Sequence, residues 1–384
     1  MERSKTLLSL AVLLAVGLAQ CRPSGQPPSV HSKVDDGTKT SRESKQYRGA
    51  LKTAIDNAAK DELGRTLNSA ERITLSGSDI QSLSRLRIAE NGSLLLLDFD
   101  RAVAELYDGS GRFVRSIGSK GSSPGNYEWP SGIAQRKDGS IAICDFRVHR
   151  VNLYSAEGGF LRSFIYSPQV FSAQQMVYDS QADSFYLYGN RWQNDPSGKA
   201  VGADLIHKYS AAGEFLGSQL PFPDQGKPLN LYAYDDPAID IASGSLYVAL
   251  PFGYTVYRLT ADKRASPFIA DTPRAFRPPS TEMSAMKKSD LDPSELVQEW
   301  LLTWTPINAL LISQDRLFLQ YQTFSPLRYT IDTWSLTSGK RLATRHTNHE
   351  MMARDQEGYI YFLDNVETRG QQKYELLRAK TESL

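Results

Sequence analysis

The chain has 384 residues, 40% of them hydrophobic and 23% charged, with 44 Lys and Arg against 43 Asp and Glu. That mixture is globular and excludes a disordered chain. A net charge of +1 without a long basic stripe excludes nucleic acid as a partner.

The first residues stand apart from the rest. Arg3 and Lys5 precede an apolar run, Leu7 to Ala19. The run is shorter than the roughly 20 residues of a spanning helix, so residues 1–20 read as an export signal. Removing Glu2, Arg3 and Lys5 leaves 42 basic and 42 acidic residues. The run ends Leu18-Ala19-Gln20-Cys21, which resembles the lipobox of bacterial lipoproteins; Gln20 departs from the small residue preferred there. The resemblance implies a lipid on Cys21 and a membrane anchor. Simple cleavage after Ala19 stays open, because Gly17-Leu18-Ala19 is small-x-small. By the same resemblance, Arg22 stands where inner-membrane retention needs Asp, which implies the outer membrane.

Residues 21–43 are rich in Pro, Ser and Gly and read as a lipidated, flexible tether. Residues 44–65 read as a helix and spacer, with Leu51, Ala54, Ile55 and Ala58 on one side. The cysteines are Cys21 and Cys144. Lipidation of Cys21 would leave no disulfide, and Cys144, in an apolar stretch, reads as a small buried hydrophobe.

From residue 66 to 384 the chain repeats itself. Gly92, Asp98, Tyr107, Phe113 and Arg115 recur as Gly139, Asp145, Tyr154, Phe160 and Arg162, each 47 residues on. A fixed period of this size marks a repeat architecture. Each unit divides into four short strands with glycine turns, and its second strand is apolar on both faces, as in Ile141 to Cys144. Units covered above and below stack into a β-propeller. Four weaker copies follow, the last carrying Gly358 and Asp364 but only three strands. An incomplete last sheet needs a borrowed strand, and Arg72 to Leu75 suits that role. The expected fold is all-β: a six-bladed propeller of four-stranded blades, closed by an N-terminal strand. The recurring Asp reads as structural, bonding loop N–H groups at strand ends.

Gly118, Pro124-Gly125-Asn126-Tyr127 and Pro130-Ser131-Gly132-Ile133-Ala134, followed by Asp138-Gly139 and Asp145, resemble the NHL repeat, a family of six-bladed propellers. With the lipobox, the chain is similar to exported bacterial propeller lipoproteins. That fold hosts sensors, scaffolds, lyases and lactonases, so the resemblance implies a fold and not a function.

In a four-stranded meander the first and third turns share one face; the second turns and the connections between blades share the other. The tight turns fall on the first face and the long loops on the second. Long loops on a rigid scaffold are where binding resides. Tyr127, Trp129, Arg191, Trp192, Tyr232 and Trp300 lie on them, with His349 at a blade start. These are residue types that hold partners, and the expected ligand is an envelope protein, a peptide or a glycan. Packing of the loops onto the blades is the competing role. An insert over about 285–304 reads as a helix: Asp292-Pro293-Ser294-Glu295 caps it, and Val297, Trp300, Leu301 and Trp304 form its apolar face.

No cofactor is expected under this reading, and no H-E-x-x-H or phosphate-binding glycine loop appears. An alternative follows from the propeller resemblance: a periplasmic lyase or lactonase with an axial metal. Asp236, Asn308 and Glu350, near inner-strand starts, offer oxygen ligands for calcium or another divalent ion.

Overall fold

The computed structural model describes residues 62–166, 172–190, 192–194, 200–202, 204–221, 238–251, 253–260, 265–269, 271–278, 304–323, 328–368 and 371–384. The expected leader, Cys21, the expected tether, most of the 44–65 segment and the insert up to residue 303 lie outside them. A short helix, α1 (Glu62–Asn68), leads into the strand β1 (Glu71–Thr74).

Six four-stranded antiparallel sheets follow. Blade 1 holds β2 (Leu83–Ile88), β3 (Leu94–Asp98), β4 (Val103–Tyr107) and β5 (Phe113–Ile117). Blade 2 holds β6 (Pro130–Gln135), β7 (Ile141–Asp145), β8 (Arg150–Tyr154) and β9 (Phe160–Ile165). In blade 3, β10 (Ser172–Asp179) and β11 (Ser184–Asn190) are followed by a small hairpin, β12 (Trp192–Asn194) and β13 (Ala200–Gly202). The blade resumes with β14 (Asp204–Ser210) and β15 (Phe215–Pro221). Blade 4 runs β16 (Ala238–Ala242), β17 (Ser245–Ala249), β18 (Val256–Leu259) and β19 (Ala265–Ile269). Blade 5 runs β20 (Ile307–Ser313), β21 (Arg316–Gln322), β22 (Tyr329–Ser335) and β23 (Arg341–Thr347). Blade 6 has only β24 (Glu350–Arg354), β25 (Tyr359–Thr368) and β26 (Gln371–Lys380) from its own stretch; its outer strand is β1.

The first strands of the blades contact one another in cyclic order, β2 to β6, β10, β16, β20, β24 and back to β2. The ring is therefore closed, and closure is made as the sequence anticipates: Ile73 pairs with Leu376 and Glu71 with Arg378. Arg72 adds ion pairs to Asp364 at 2.9 Å and Glu375 at 3.0 Å.

Six apolar clusters fill the six seams between blades. Leu95, Ile133 and Ile143 meet between blades 1 and 2, and Val151, Met176 and Phe185 between blades 2 and 3. Leu63 and Leu67 of α1 join the cluster between blades 5 and 6, with Phe318 and Phe362. The second strands β3, β7 and β17 are buried at every position because each has a blade on both sides. Outer strands are wetter, and arginines tie them together. Arg115 donates to the carbonyl of Glu157 in the next blade, and Arg162, 47 residues later, donates to the carbonyl of Ala212.

Candidate functional site

Two places on the ring carry polar and aromatic groups in functional arrangements: the long-loop face and the axial channel. The loop face is organised by the repeating Asp. Asp145, wholly buried, accepts hydrogen bonds from the backbone N–H groups of Glu128, Trp129, Arg147 and Val148. It thereby fixes the second turn of blade 2 against the loop entering it. Asp98 does the same in blade 1, accepting from Gln81, Ser82 and Arg101. Burial raises the Asp98 pKa despite these bonds. The structural reading holds for these two. Asp364 differs, since it pairs with Arg72 and lies 3.6 Å from Nδ1 of His349.

The Asp145 clamp presents Trp129. Its ring stacks on Phe146 at 5.5 Å and 3° and lies 6.4 Å from Phe99 of blade 1. Arg147 sits over the Trp129 ring at 5.2 Å and pairs with Glu128 at 2.7 Å. Trp129, Phe99 and Phe146 are only half-buried. The result is an aromatic and arginine platform across the seam of blades 1 and 2.

Tyr127, two residues earlier, is a correction to the expected binding set. It is fully buried, its hydroxyl donating to the Ile117 carbonyl and accepting the Ala104 N–H at 2.7 Å. It holds the blade 1–2 connection and has no surface to offer a ligand. His349 is half-buried, with burial drawing its pKa below 6.5 against the pull of Asp364. Trp192 lies in β12; Arg191, Tyr232 and Trp300 lie outside the described residues. Trp304, from the apolar face of the insert, is buried.

The channel is lined by all six first strands and encloses a cavity of about 60 Å³. Bulges interrupt five of those strands, at Ser84, Ser131, Gln174, Asn308 and Met352. A bulge re-aims the side chains around it. Asn308 and Glu350 both line the cavity, so two of the three suggested metal ligands share it; Asp236 lies outside the described residues. Among the described residues no group of three His, Cys, Asp or Glu gathers as a metal site.

Arginines give the channel its character. Arg85 and Arg87 line it. Arg354 of blade 6 crosses to Asp240 of blade 4, with Nε 3.0 Å from Oδ2, and donates to the Ile241 carbonyl at 3.1 Å. Asp240 also accepts the Ile312 N–H of blade 5 at 2.8 Å. Burial lowers the Arg87 pKa, with Arg354 and Arg85 adding to the effect. The sequence reading missed Arg87, Arg354 and Asp240. One signal was present: Arg85-Leu86-Arg87-Ile88 alternates charge with apolar residues in an innermost strand.

Comparisons agree with this architecture. A Bacteroides fragilis protein described as exported superposes with a TM-score of 0.58 at 14% identity, covering 82% of this chain and 95% of its own. A member of the duf4221 family from Bacteroides vulgatus superposes with a TM-score of 0.55 at 10% identity, covering 80% and 96%. At such identities the likeness concerns the fold alone. No curated protein matches the chain. The family DUF5128, described as a 6-bladed beta-propeller, matches residues 55–301. That match takes in most of the chain, and the ring accounts for it: the protein belongs to the DUF5128 family of six-bladed β-propellers.

Proposed function

We propose that the protein is a cell-envelope binding module, held to the membrane by lipid on Cys21, that takes a peptide or glycan of an envelope partner on its loop face. The observation that carries the reading is the Trp129 platform: half-exposed rings in a stack, with Arg147 across them. Exposed aromatic faces with a neighbouring guanidinium contact sugars and peptides through area and cation–π attraction. The lipobox-like Leu18–Cys21 and the exported Bacteroides neighbour support the envelope location. The NHL-like motif from Gly118 to Asp145 forms the platform's own loop, and the lipobox-like Leu18–Cys21 supports the lipoprotein type.

Trp129→Ala in the full chain, assayed on arrays of envelope peptides and glycans, tests the site. Binding that weakens by about tenfold or more with an unchanged melt supports it; undiminished binding rejects it. Labelling with a radioactive fatty acid, lost in Cys21→Ala, tests the anchor. The metal-dependent lyase or lactonase rests on Asn308 and Glu350 lining one cavity. The guanidiniums of Arg85, Arg87 and Arg354 in and beside the same channel work against a dication there.

A further inference from the structure

No carboxylate among the described residues touches Arg87, a positive charge inside the ring. Among the described residues its guanidinium makes one hydrogen bond, from Nε to the Ile133 carbonyl at 3.4 Å. The acid that acts on it from a distance, Asp240, is already engaged by Arg354 and by the Ile312 N–H. Asp240 therefore faces both the Arg354 and the Arg87 guanidiniums; Arg85 and Glu350 also line the cavity. A guanidinium has donors on a fixed planar fork, which matches a carboxylate edge to edge.

The second observation is an acceptor whose direction is fixed. Gln320, fully buried, accepts the Met351 N–H on Oε1 at 2.8 Å and donates Nε2 to the His349 carbonyl at 3.0 Å. Its orientation is thereby set, and Asn308 must turn Nδ2 toward Oε1, at 3.1 Å. Asn308 Oδ1 is left buried without a partner, and so is Gln175 Oε1. Both residues line the same cavity as Arg87. A buried acceptor without a donor is costly and calls for a partner. A water needs roughly 10–15 Å³ of such space, so the cavity of about 60 Å³ has room for a ligand of only a few heavy atoms.

We propose that the axial cavity binds a small 2-hydroxy- or 2-amino-carboxylate, its carboxylate on the Arg87 guanidinium and its hydroxyl or amine donating to Asn308 Oδ1. This site is separate from the Trp129 platform and stands or falls without it.

The test is a thermal melt of the full chain at constant ionic strength, with glycolate replacing chloride. The expected result is a rise in midpoint that saturates, a response to acetate weaker by several-fold because acetate has no donor, and at least about a tenfold loss of glycolate affinity in Arg87→Gln. Three results each overturn the proposal: no rise with glycolate, a rise of equal size with any anion, or an Arg87→Gln response equal to wild type. If Arg87→Gln does not melt cooperatively, the guanidinium Nε–H resonance of Arg87 in the wild-type chain replaces it. A saturable shift on glycolate titration supports the site, and an unmoved resonance overturns it.

Discussion

Gly213, at the third turn of blade 3, lies so close to Phe164 of blade 2 that a Cβ built on it would sit 2.4 Å from the ring Cγ. Its φ of +94° is also one that L side chains avoid. Gly213→Ala combines both penalties, about 1–2 kcal/mol for the backbone and about 1–3 kcal/mol for overpacking. The expected loss is about 2–5 kcal/mol in urea denaturation. Gly92, with φ +80° and nothing within 4 Å of its added Cβ, supplies the control. Gly92→Ala should lose only the backbone part. Equal losses would mean that Phe164 moves aside freely.

Asp145→Asn should destabilise the ring by about 2–3 kcal/mol, since an amide replaces a charged acceptor of four backbone N–H groups. It should also loosen Trp129, whose N–H is one of the four. Quenching of tryptophan emission by acrylamide would read that motion. A variant as stable as wild type would remove the clamp from the account of the platform.

Ile73→Ala in the closing strand should cost about 2–4 kcal/mol, as for other buried aliphatic truncations. Ile73 is buried in the seam of blades 6 and 1, so the whole transition should move as one. The Arg72 pairs are partly exposed, and Arg72→Ala should cost less than about 1 kcal/mol. Overlaid far-ultraviolet and tryptophan melts would check both; separation of the two probes would show blade 6 opening alone.

Stability should fall as the pH drops from 7 to 5.5. Burial lowers the pKa of His149 and of His349 below 6.5. Below 6.5 the unfolded chain binds protons that these folded imidazoles resist, so protonation favours unfolding. Asp98 is shifted upward and acts with the opposite sign, in the carboxylate range. His349→Gln and His149→Asn should each flatten the slope above pH 5.5. Asn suits position 149 because its φ is +52°. A slope unchanged in the double variant would assign the pH dependence elsewhere.

The ring was legible because its repeat leaves residues at fixed offsets. The turn glycines Gly92 and Gly139 and the strand-end Asp98 and Asp145 recur 47 apart, and each does the same work in its blade. The closing strand was legible from a deficit, three strands where four are needed. The site was harder. Tyr127 and Trp129 are two residues apart in one loop, and sequence does not tell which ring turns inward. Tyr127 does, because Gly118 leaves room for it; a Cβ there would stand 2.8 Å from the tyrosine ring. The channel was hardest. Arg354 and Asp240 are 114 residues apart and meet only across the assembled ring. No local pattern records that meeting.

The closing strand also imposes an order in time. Glu71 and Arg378, which face each other in the sealed blade, are 307 residues apart. A chain emerging from its N-terminus exposes β1 early and cannot pair it until β26 has followed. Five blades can stack in sequence while β1 waits with an open edge, and the last step joins the most distant parts of the chain. Such a contact is slow to form. A chain that seals last stays threadable longest, which is compatible with the export proposed above.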